Sequence, residues 1–429
     1  MTVDAVLFYI FAAISSLYVV HLGFYLVGAN LYDVRQARRH FHRQLDAALG
    51  RIDLFEPLVT VVIPAHNEEK VIERCLQSVI NSDYPRLEII VVDDASRDST
   101  SELVRTFIQG HPTVPLRLVR KRKNGGKGEA LNHALRTYAK GELAMTLDAD
   151  SILLHNTVSN AVAYFHDPDV VGVAANVHII EEWTVLGMLQ KFEHMIGYRS
   201  KKVYSLCNCE FVVGGVASTY RMSMLKQVGF YDTTTQTEDI GLSIKVVNQG
   251  NRKYRVIYGA DVVAATEGVL TLRALMRQRY RWKYGSLQNI VKYRHLIGLV
   301  DKRYTRTLTI YRMPMAVLSE IALLLSPIAW GYMIYLTLGQ KSAGLVIGAY
   351  MTITAYVLIT IWTAENLKIR DRLRLCLYAP VAYFTFYIMD YVQFVAVCRC
   401  AFRLHYLVGQ KDTKSTWVSP KRVGREVIF

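Results

Sequence analysis

Two blocks of apolar sequence, one near each end, restrict the possible folds of this chain more than any other feature. Residues 5–31 carry almost no charge, and a helix of that length at about 1.5 Å per residue exceeds the roughly 30 Å hydrocarbon thickness of a bilayer. Three further apolar stretches lie at about 311–338, 343–363 and 375–398. We therefore predict a transmembrane anchor over residues 1–33 and about three transmembrane helices within residues 306–400. A cleaved signal peptide fits the first block less well, because the block lacks a basic start and is too long.

The positive charge of the chain is concentrated beside these apolar blocks. The net charge is +15, and the basic clusters that flank the blocks are Arg35, Arg38, Arg39 and Arg43, and then Arg273, Arg277, Arg279, Arg281 and Lys283. Basic residues next to transmembrane helices favour the cytoplasmic side and contact anionic lipid. No basic stripe with base-reading residues is present, so we expect a lipid bilayer and no nucleic acid as a partner. The chain is thus predicted to be a multi-pass plasma-membrane protein with a cytoplasmic central domain.

The side of the membrane on which the basic tail (residues 401–429) lies stays open. Counting crossings from a cytoplasmic domain places the tail outside, whereas its basic residues favour the inside. A re-entrant or broken apolar stretch would remove the conflict, and Pro314, Pro327 and Pro380 are the candidate positions.

Between the apolar blocks, residues 55–265 alternate short apolar runs with amphipathic segments. The runs that read as strands are 59–64, 87–94, 115–120 and 143–150, and the segments that read as helices include 69–80 and 127–139. This alternation predicts a mostly parallel sheet covered by helices on both faces, with ligands at the carboxyl ends of the strands. Residues 266–305 mix Leu, Tyr and Trp with many basic residues, which is typical of amphipathic interfacial helices.

The loops that follow the predicted strands are polar. The first reads Pro64-Ala65-His66-Asn67-Glu68-Glu69, in which Asn67 could simply cap a helix. The second contains Asp94 in a possible capped turn, and together the two loops could hold a base and a ribose. A Gly-rich third loop contains Lys127, which could face a diphosphate, although a flexible turn is the alternative and the P-loop pattern is absent.

Asp148-Ala149-Asp150 is the most informative single motif. Placed at the end of a strand, its two carboxylates would point to the same side of the sheet. Two like charges there repel one another unless a cation is present, and Mg²⁺ or Mn²⁺ shared with a diphosphate suits hard oxygen ligands. Two later motifs are ambiguous taken singly. Thr237-Glu238-Asp239 could be a helix cap with acids in its first turn, and Gln278-Arg279-Tyr280-Arg281-Trp282 has a composition common at membrane interfaces.

The order of these motifs along the chain favours a functional interpretation over a purely structural one. VVIPAHNE, VVDDAS, GGKGEALN, LDAD, TED and QRYRW, in this sequence and at these separations, resemble the family 2 processive glycosyltransferases. These are the membrane synthases of cellulose, chitin, hyaluronan and poly-N-acetylglucosamine. The resemblance covers roughly residues 58–300 and extends to the flanking apolar segments. It implies a Rossmann-like α/β domain of the glycosyltransferase-A type, with transmembrane and interfacial helices.

The resemblance also implies a role for each matching residue. On the donor side these are Glu68 and Asp94 for the uridine, Lys127 and Asp148 near the diphosphate, and Asp150 with Asp148 for Mg²⁺ or Mn²⁺, while Ala65 is a further nucleotide-sugar-binding residue. On the acceptor side, Asp239 of T-E-D matches the general base, with Glu238 beside it. Gln278, Arg281 and Trp282 match the Q-x-x-R-W signature, in which the arginine meets the pyrophosphate and the tryptophan lies beneath the acceptor sugar.

We therefore predict a processive, inverting β-glycosyltransferase that extends a polysaccharide from a UDP-sugar and feeds it into its own transmembrane segment. UDP-N-acetylglucosamine is the favoured donor, because the chain looks most like bacterial poly-N-acetylglucosamine synthases. Hyaluronan, chito-oligosaccharide or cellulose-type synthesis and non-processive transfer to a lipid are the alternatives, and Q-x-x-R-W argues against the last. Accessory export or small membrane subunits are further expected partners. Residues 416–420 are a candidate gating segment if the tail is cytoplasmic.

Overall fold

A computed structural model of the chain describes residues 3–50, 55–180, 183–339, 343–364, 367–403, 406 and 424. Within these residues, eight strands form one sheet: β1 Val59–Ala65, β2 Leu87–Asp93, β3 Leu116–Arg120, β4 Leu143–Thr146, β5 Ser151–Leu153, β6 Val170–Ile179, β7 Ser218–Arg221 and β8 Arg255–Thr266. Their order across the sheet is β3-β2-β1-β4-β7-β6-β8-β5.

Twelve α-helices are present in the described ranges: α1 Val3–Ala48, α2 Ile72–Ile80, α3 Thr100–Gly110, α4 Lys127–Thr137, α5 Thr157–Tyr164, α6 Val185–Leu206, α7 Met222–Val228, α8 Glu238–Val247, α9 Leu272–Lys292, α10 Met313–Ile334, α11 Ala343–Thr363 and α12 Ile369–Ala401. A 3₁₀ turn at Arg294–Leu296 follows α9, and π-helical turns at Thr307–Arg312 and Tyr335–Gly339 flank α10.

Both faces of the sheet are buried, as the apolar runs predict. In β1, Val61 and Ile63 pack into one hydrophobic cluster and Val62 into the other, because successive side chains of a strand point to opposite faces. Helix α2 covers the first face with Cys75, Leu76 and Val79, whose spacing places them on a single side of the helix. The strands therefore position their carboxyl ends rigidly.

The direction of the strands corrects part of the prediction. The pairs β1–β2, β2–β3, β1–β4 and β6–β8 are parallel, whereas β4–β7, β6–β7 and β5–β8 are antiparallel. The predicted parallel arrangement thus holds for β3, β2, β1 and β4, which are adjacent in the sheet. The other four strands include both parallel and antiparallel pairs. The chain reverses in a turn directly after β4, and β7 enters the sheet from a long loop instead of from a crossover helix.

Helix α1 joins the predicted anchor to the sheet domain without a break. It runs for 46 residues, so the basic cluster after the apolar block continues the same helix. Beyond the apolar part, Lys202 of α6 forms an ion pair with Asp33 at 2.5 Å, and the hydroxyl of Tyr32 donates to the carbonyl of Tyr258 at 2.5 Å. Farther along, His40 lies 2.9 Å from Asp261. The helix is therefore docked on the sheet domain along its second half.

Four helices in the described residues are long and apolar enough to cross a membrane: Ala5–Asp46, Thr307–Gly339, Val346–Thr363 and Ile369–Ala401. None of the three prolines breaks its helix, since Pro314 stands in the first turn of α10 and Pro327 and Pro380 lie inside α10 and α12. The basic residues just before the last apolar stretch belong to α12, which begins at Ile369. The candidate gating segment at 416–420 lies outside the described residues.

Gly424 gives one contact of the tail. Its amide donates to Glu267 at 3.1 Å, and a Cβ at this position would lie 2.6 Å from the carbonyl oxygen of Lys70. Gly424 therefore lies against the sheet domain.

Candidate functional site

The loops after β1 and β2 are tied to one another at the carboxyl edge of the sheet. The side-chain oxygen of Asn67 accepts from the amide of Arg97 at 2.9 Å, and the amide of Asn67 donates to Ser96 at 3.0 Å. Asn67 has a positive φ of 57°, and α2 begins only at Ile72. The alternative that Asn67 caps this helix is therefore wrong, because its side chain is used to join the two loops.

Asp94 shapes the Gly-rich loop. Its carboxylate is fully buried, pairs with Lys121 at 2.7 Å, and accepts from the amides of Gly125 at 3.1 Å and Gly126 at 2.8 Å. A buried carboxylate needs such charge-assisted partners. Glu68 is also buried, at 3% exposure, and its amide donates to Thr100. Both residues predicted to hold the nucleoside thus lie at the carboxyl ends of β1 and β2, and Asp94 orders the loop over them.

A cleft of about 850 Å³ opens beside these two loops. Its lining consists of polar and mostly basic side chains: His66, Asn67, Ala95, Ser96, Arg97, Arg120, Lys121, Arg122, Lys123 and Asn124. The adjoining Ala65 is the last residue of β1 and is fully buried. The cleft is large enough for a nucleotide, and its charge suits phosphate oxygens.

Lys127 is the centre of the second part of the site. Its ammonium lies 2.5 Å from Asp148 and 3.7 Å from Glu238. A Cβ at Gly215 would lie 2.6 Å from this nitrogen and 3.7 Å from Oδ2 of Asp239. Because Gly215 has no side chain, the Lys127 ammonium can occupy this position. Three carboxylates thus surround one ammonium, which leaves an excess of negative charge.

The pKa values reflect this crowding. Burial alone would lower the pKa of the Lys127 ammonium, but Asp148, Glu238 and Asp239 together raise it above its ordinary value. Burial raises the pKa of Glu238, an effect that Lys127 and Arg281 oppose and Asp239 reinforces. The positive charge of Arg281 therefore acts on Glu238 of T-E-D, and five of the predicted residues belong to one electrostatic group: Lys127, Asp148, Glu238, Asp239 and Arg281.

The Asp148-Ala149-Asp150 motif is not part of a strand, which corrects the prediction. Strand β4 ends at Thr146, and the two acids lie in the turn that leads to β5. Asp150 is buried and accepts from Ser151 at 2.9 Å and from Thr266 at 3.3 Å, whereas Asp148 faces Lys127. The turn, and not the alternation of side chains along a strand, therefore determines where the two carboxylates of Asp148 and Asp150 lie.

The described residues contain no cluster of three or more His, Cys, Asp or Glu side chains that could enclose a metal ion. The turn nevertheless suits a hard cation, because Asp148 and Asp150 supply two carboxylates beside a group with excess negative charge. Mg²⁺ commonly takes one or two protein carboxylates and completes its shell with water and substrate phosphates. The residues present therefore fit a divalent cation that is bound together with a diphosphate.

Helix α9 carries the Q-x-x-R-W residues over this group. Arg281 is exposed, Trp282 is 36% exposed, and the side-chain oxygen of Gln278 accepts from Arg279 at 2.8 Å. The guanidinium of Arg279, 2% exposed, lies 4.0 Å from the centre of the Trp282 ring. Gln278 and Trp282 are therefore fixed to one another through a residue between them.

Helix α9 is also fixed to the T-E-D loop. Asn289 donates to the carbonyl of Thr237 at 3.2 Å and to its hydroxyl at 3.1 Å. A Cβ at Gly285 would lie 2.5 Å from that hydroxyl, so the close approach requires glycine. Thr237 stands at the N-cap of α8, yet its side chain makes no capping bond and binds α9 instead.

Sequence reasoning missed several residues that build this site: Lys121, Gly215, Arg279, Glu193 and Asn289. Arg279 stood inside the motif Gln278–Trp282 already noted, so its position carried a signal. Asn289 and Glu193 stood in no motif, and only the fold brings them to the site.

Three comparisons place these features among known proteins. Residues 60–229 match the family described as Glycosyl transferase family 2. The poly-beta-1,6-N-acetyl-D-glucosamine synthase of Staphylococcus aureus (strain COL) is 28% identical over 327 residues, which is 75% of this chain and 74% of that protein. The enzyme of the same name from Staphylococcus epidermidis is 29% identical over 237 residues, which is 54% of this chain and 56% of that protein.

A solved structure shares the fold. The mannosyltransferase PcManGT from Pyrobaculum calidifontis, in complex with GDP-Man and Mn²⁺, aligns with a TM-score of 0.55 and 21% identity, covering 89% of this chain and 99% of that one. At this identity the likeness concerns the architecture alone.

Proposed function

Because the chain is a glycosyltransferase with a family 2 domain, we propose that it polymerises N-acetylglucosamine from a UDP donor and passes the product into its own membrane helices. The observation that carries this proposal is the position of α9. On one side its Asn289 donates to Thr237 of T-E-D, and on another its Leu275 packs with Met389 and Val392 of α12. Helix α9 therefore borders both the transfer site and a candidate membrane span.

The donor would occupy the carboxyl edge of the sheet. The basic cleft beside Glu68 and Asp94 would take the nucleotide, and Lys127 would meet the diphosphate. The choice of N-acetylglucosamine is supported by the two synthases of poly-beta-1,6-N-acetyl-D-glucosamine that this chain resembles. Asp148 and Asp150 would hold Mg²⁺ or Mn²⁺, which would supply positive charge to the diphosphate oxygens.

The transfer itself would be an inverting displacement. Asp239 would take the proton of the acceptor hydroxyl while that oxygen bonds to C1 of the donor sugar and the bond between C1 and the diphosphate breaks. Arg281 and Lys127 would stabilise the charge that develops on the leaving UDP. Trp282 would support the acceptor sugar, since part of its ring remains exposed.

The four candidate spans and the basic residues beside them support placement in a membrane. The catalytic domain would face the cytoplasm, where UDP-sugars are available to it, and the contact of Gly424 with Glu267 supports a tail on that same side. A cytoplasmic tail requires that one of the apolar helices does not cross completely.

Two alternative functions would be recognised by their products. A hyaluronan, chito-oligosaccharide or cellulose-type synthase would use the same site with another sugar or linkage. A non-processive transferase acting on a lipid would yield a product of one or a few sugars. The Q-x-x-R-W residues on α9, held together as described, favour a polymerase. Accessory subunits would affect export and not the transfer site.

The test is incorporation of labelled sugar by the purified full chain in lipid, with each UDP-sugar separately and with Mg²⁺, Mn²⁺ or EDTA. Products are then digested with linkage-specific hydrolases. We expect polymer from UDP-N-acetylglucosamine, loss of transfer in EDTA, and digestion by an enzyme specific for β-linked N-acetylglucosamine. Failure with every UDP-sugar would refute the proposal, and a product of one or two sugars on lipid would favour the second alternative.

A further inference from the structure

Arg279 contacts two other residues of its motif, Gln278 and Trp282. One guanidinium nitrogen donates to Gln278 at 2.8 Å, and the guanidinium carbon lies 4.0 Å from the centre of the Trp282 ring. At 2% exposure, Arg279 is more deeply buried than either neighbour. A cation stacked at this distance fixes the plane of an indole. Because the guanidinium covers one face of the ring, a sugar has only the other face available.

Arg279 is in turn held by a residue 86 positions earlier in the sequence. Its second guanidinium nitrogen donates to Glu193 of α6 in an ion pair whose side chains are 3% and 25% exposed. The other carboxylate oxygen of Glu193 accepts from Gln393 of α12 at 3.4 Å. A polar chain therefore runs from the indole through Arg279 and Glu193 to a helix that is a candidate membrane span.

The arrangement has a defined physical effect. A buried arginine needs an anionic partner, since an unpaired buried charge is strongly unfavourable. Glu193 thus holds the guanidinium, and the guanidinium holds the ring. A displacement of α12 would be transmitted to the ring, because Gln393 contacts the same carboxylate.

We propose that Glu193 and Arg279 are a positioning pair that sets the plane of Trp282 for the acceptor sugar and couples this plane to α12. This inference rests on the proposed function, in which Trp282 supports the acceptor. Neither residue lines the cleft proposed for the nucleotide, so the pair should control acceptor use and leave donor binding unchanged.

The test compares Arg279→Met, Arg279→Lys and Glu193→Gln in the full chain in lipid. Arg277→Met is the matched control, because Arg277 is exposed on the same helix. The measurements are the donor Kd, the KM for an added oligosaccharide acceptor, kcat, product length and thermal stability. For Arg279→Met we expect the acceptor KM to rise about tenfold or more and the product to shorten, with the donor Kd within about twofold.

The expected size of the effect differs among the variants, because each removes a different part of the Glu193–Arg279 contact. Arg279→Lys keeps the charge for Glu193 but loses the flat stacked group, so it should restore only part of the acceptor affinity. The double variant Glu193→Gln/Arg279→Met should be no worse than Arg279→Met alone, since both changes break the same pair. If Arg279→Met does not fold, Arg279→Lys and Glu193→Gln provide the same comparison.

Two results would overturn the inference. One is an acceptor KM in Arg279→Met and Glu193→Gln equal to that of Arg277→Met. The other is a parallel loss of donor affinity, acceptor affinity and stability, which indicates a merely structural role. Trp282→Ala separates this inference from the proposed function. A wild-type acceptor KM in Trp282→Ala removes the acceptor role of Trp282, and with it the basis of the inference. A raised KM in that variant without one in Arg279→Met refutes the positioning pair alone.

Discussion

Substitution of Asp239 by asparagine tests the chemical step most directly. Oδ1 of Asp239 accepts from the amide of Ile240 at 2.8 Å, while Oδ2 lies 3.7 Å from where a Cβ of Gly215 would stand, beside the Lys127 ammonium. Asparagine has the same shape and can keep the first bond, but it cannot accept a proton. The variant should therefore fold and bind donor while losing general-base catalysis.

The expected magnitude follows from that loss alone. General-base assistance is worth about 10²–10⁴ in rate, or about 2.7–5.4 kcal/mol at 1.36 kcal/mol for each factor of ten. The assay is the initial rate of sugar transfer at saturating donor and acceptor, with the donor Kd measured separately. Asp301→Asn is the control, since Asp301 only pairs with Arg303 on the surface at 2.8 Å. A kcat for Asp239→Asn within tenfold of wild type, with donor bound normally, would refute the assignment.

Three further predictions concern other parts of the structure. Gly215→Ala should leave the fold intact but displace the Lys127 ammonium, weakening donor binding about tenfold in a calorimetric titration; unchanged affinity would contradict the packing described. Glu320→Gln should lower the free energy of unfolding by roughly 2 kcal/mol, because Lys283 loses the carboxylate charge and one of its two contacts at 2.7 and 2.9 Å, and a melting curve equal to wild type would count against the pair. Burial, with a smaller effect of nearby cations, lowers the pKa of His194 to about 4 from its ordinary 6.5. The unfolded chain therefore binds the proton first, so stability should fall from pH 6.5 toward pH 4, and His194→Gln should flatten that dependence in melting experiments.

Local sequence periodicity was sufficient for the first half of the sheet. Strands β1, β2 and β3 and helices α2 and α4 lie within a few residues of their predicted bounds, because each has a clear apolar pattern and a polar loop behind it. The glycosyltransferase-A-type fold and the glycosyltransferase class are both confirmed. Both predictions came from the order of motifs, which composition alone could not have provided.

Longer-range contacts explain what sequence patterns could not predict. The end of β4 at Thr146 depends on the turn that binds Asp150 to Thr266, which is 116 positions away in the sequence. The partner of Arg279 lies 86 positions away on α6. The individual roles of the site residues remain predictions, because proximity shows which groups can act together and not which of them reacts.

The continuity of α1 has a geometric consequence for the whole enzyme. At 1.5 Å and 100° per residue, its 46 residues extend about 69 Å, so, where its apolar half spans a bilayer as proposed, the helix would set both the height and the orientation of the sheet domain relative to the lipid. Deleting one residue before Tyr32 would turn the docking side chains about 100° away from the sheet domain. Deleting seven would nearly restore their orientation, since 3.6 residues make one turn, but would bring the domain about 10 Å closer to the lipid. Only helix lengths that differ by whole turns would therefore keep the docking contacts, and each such change would alter the distance between the proposed transfer site and the lipid.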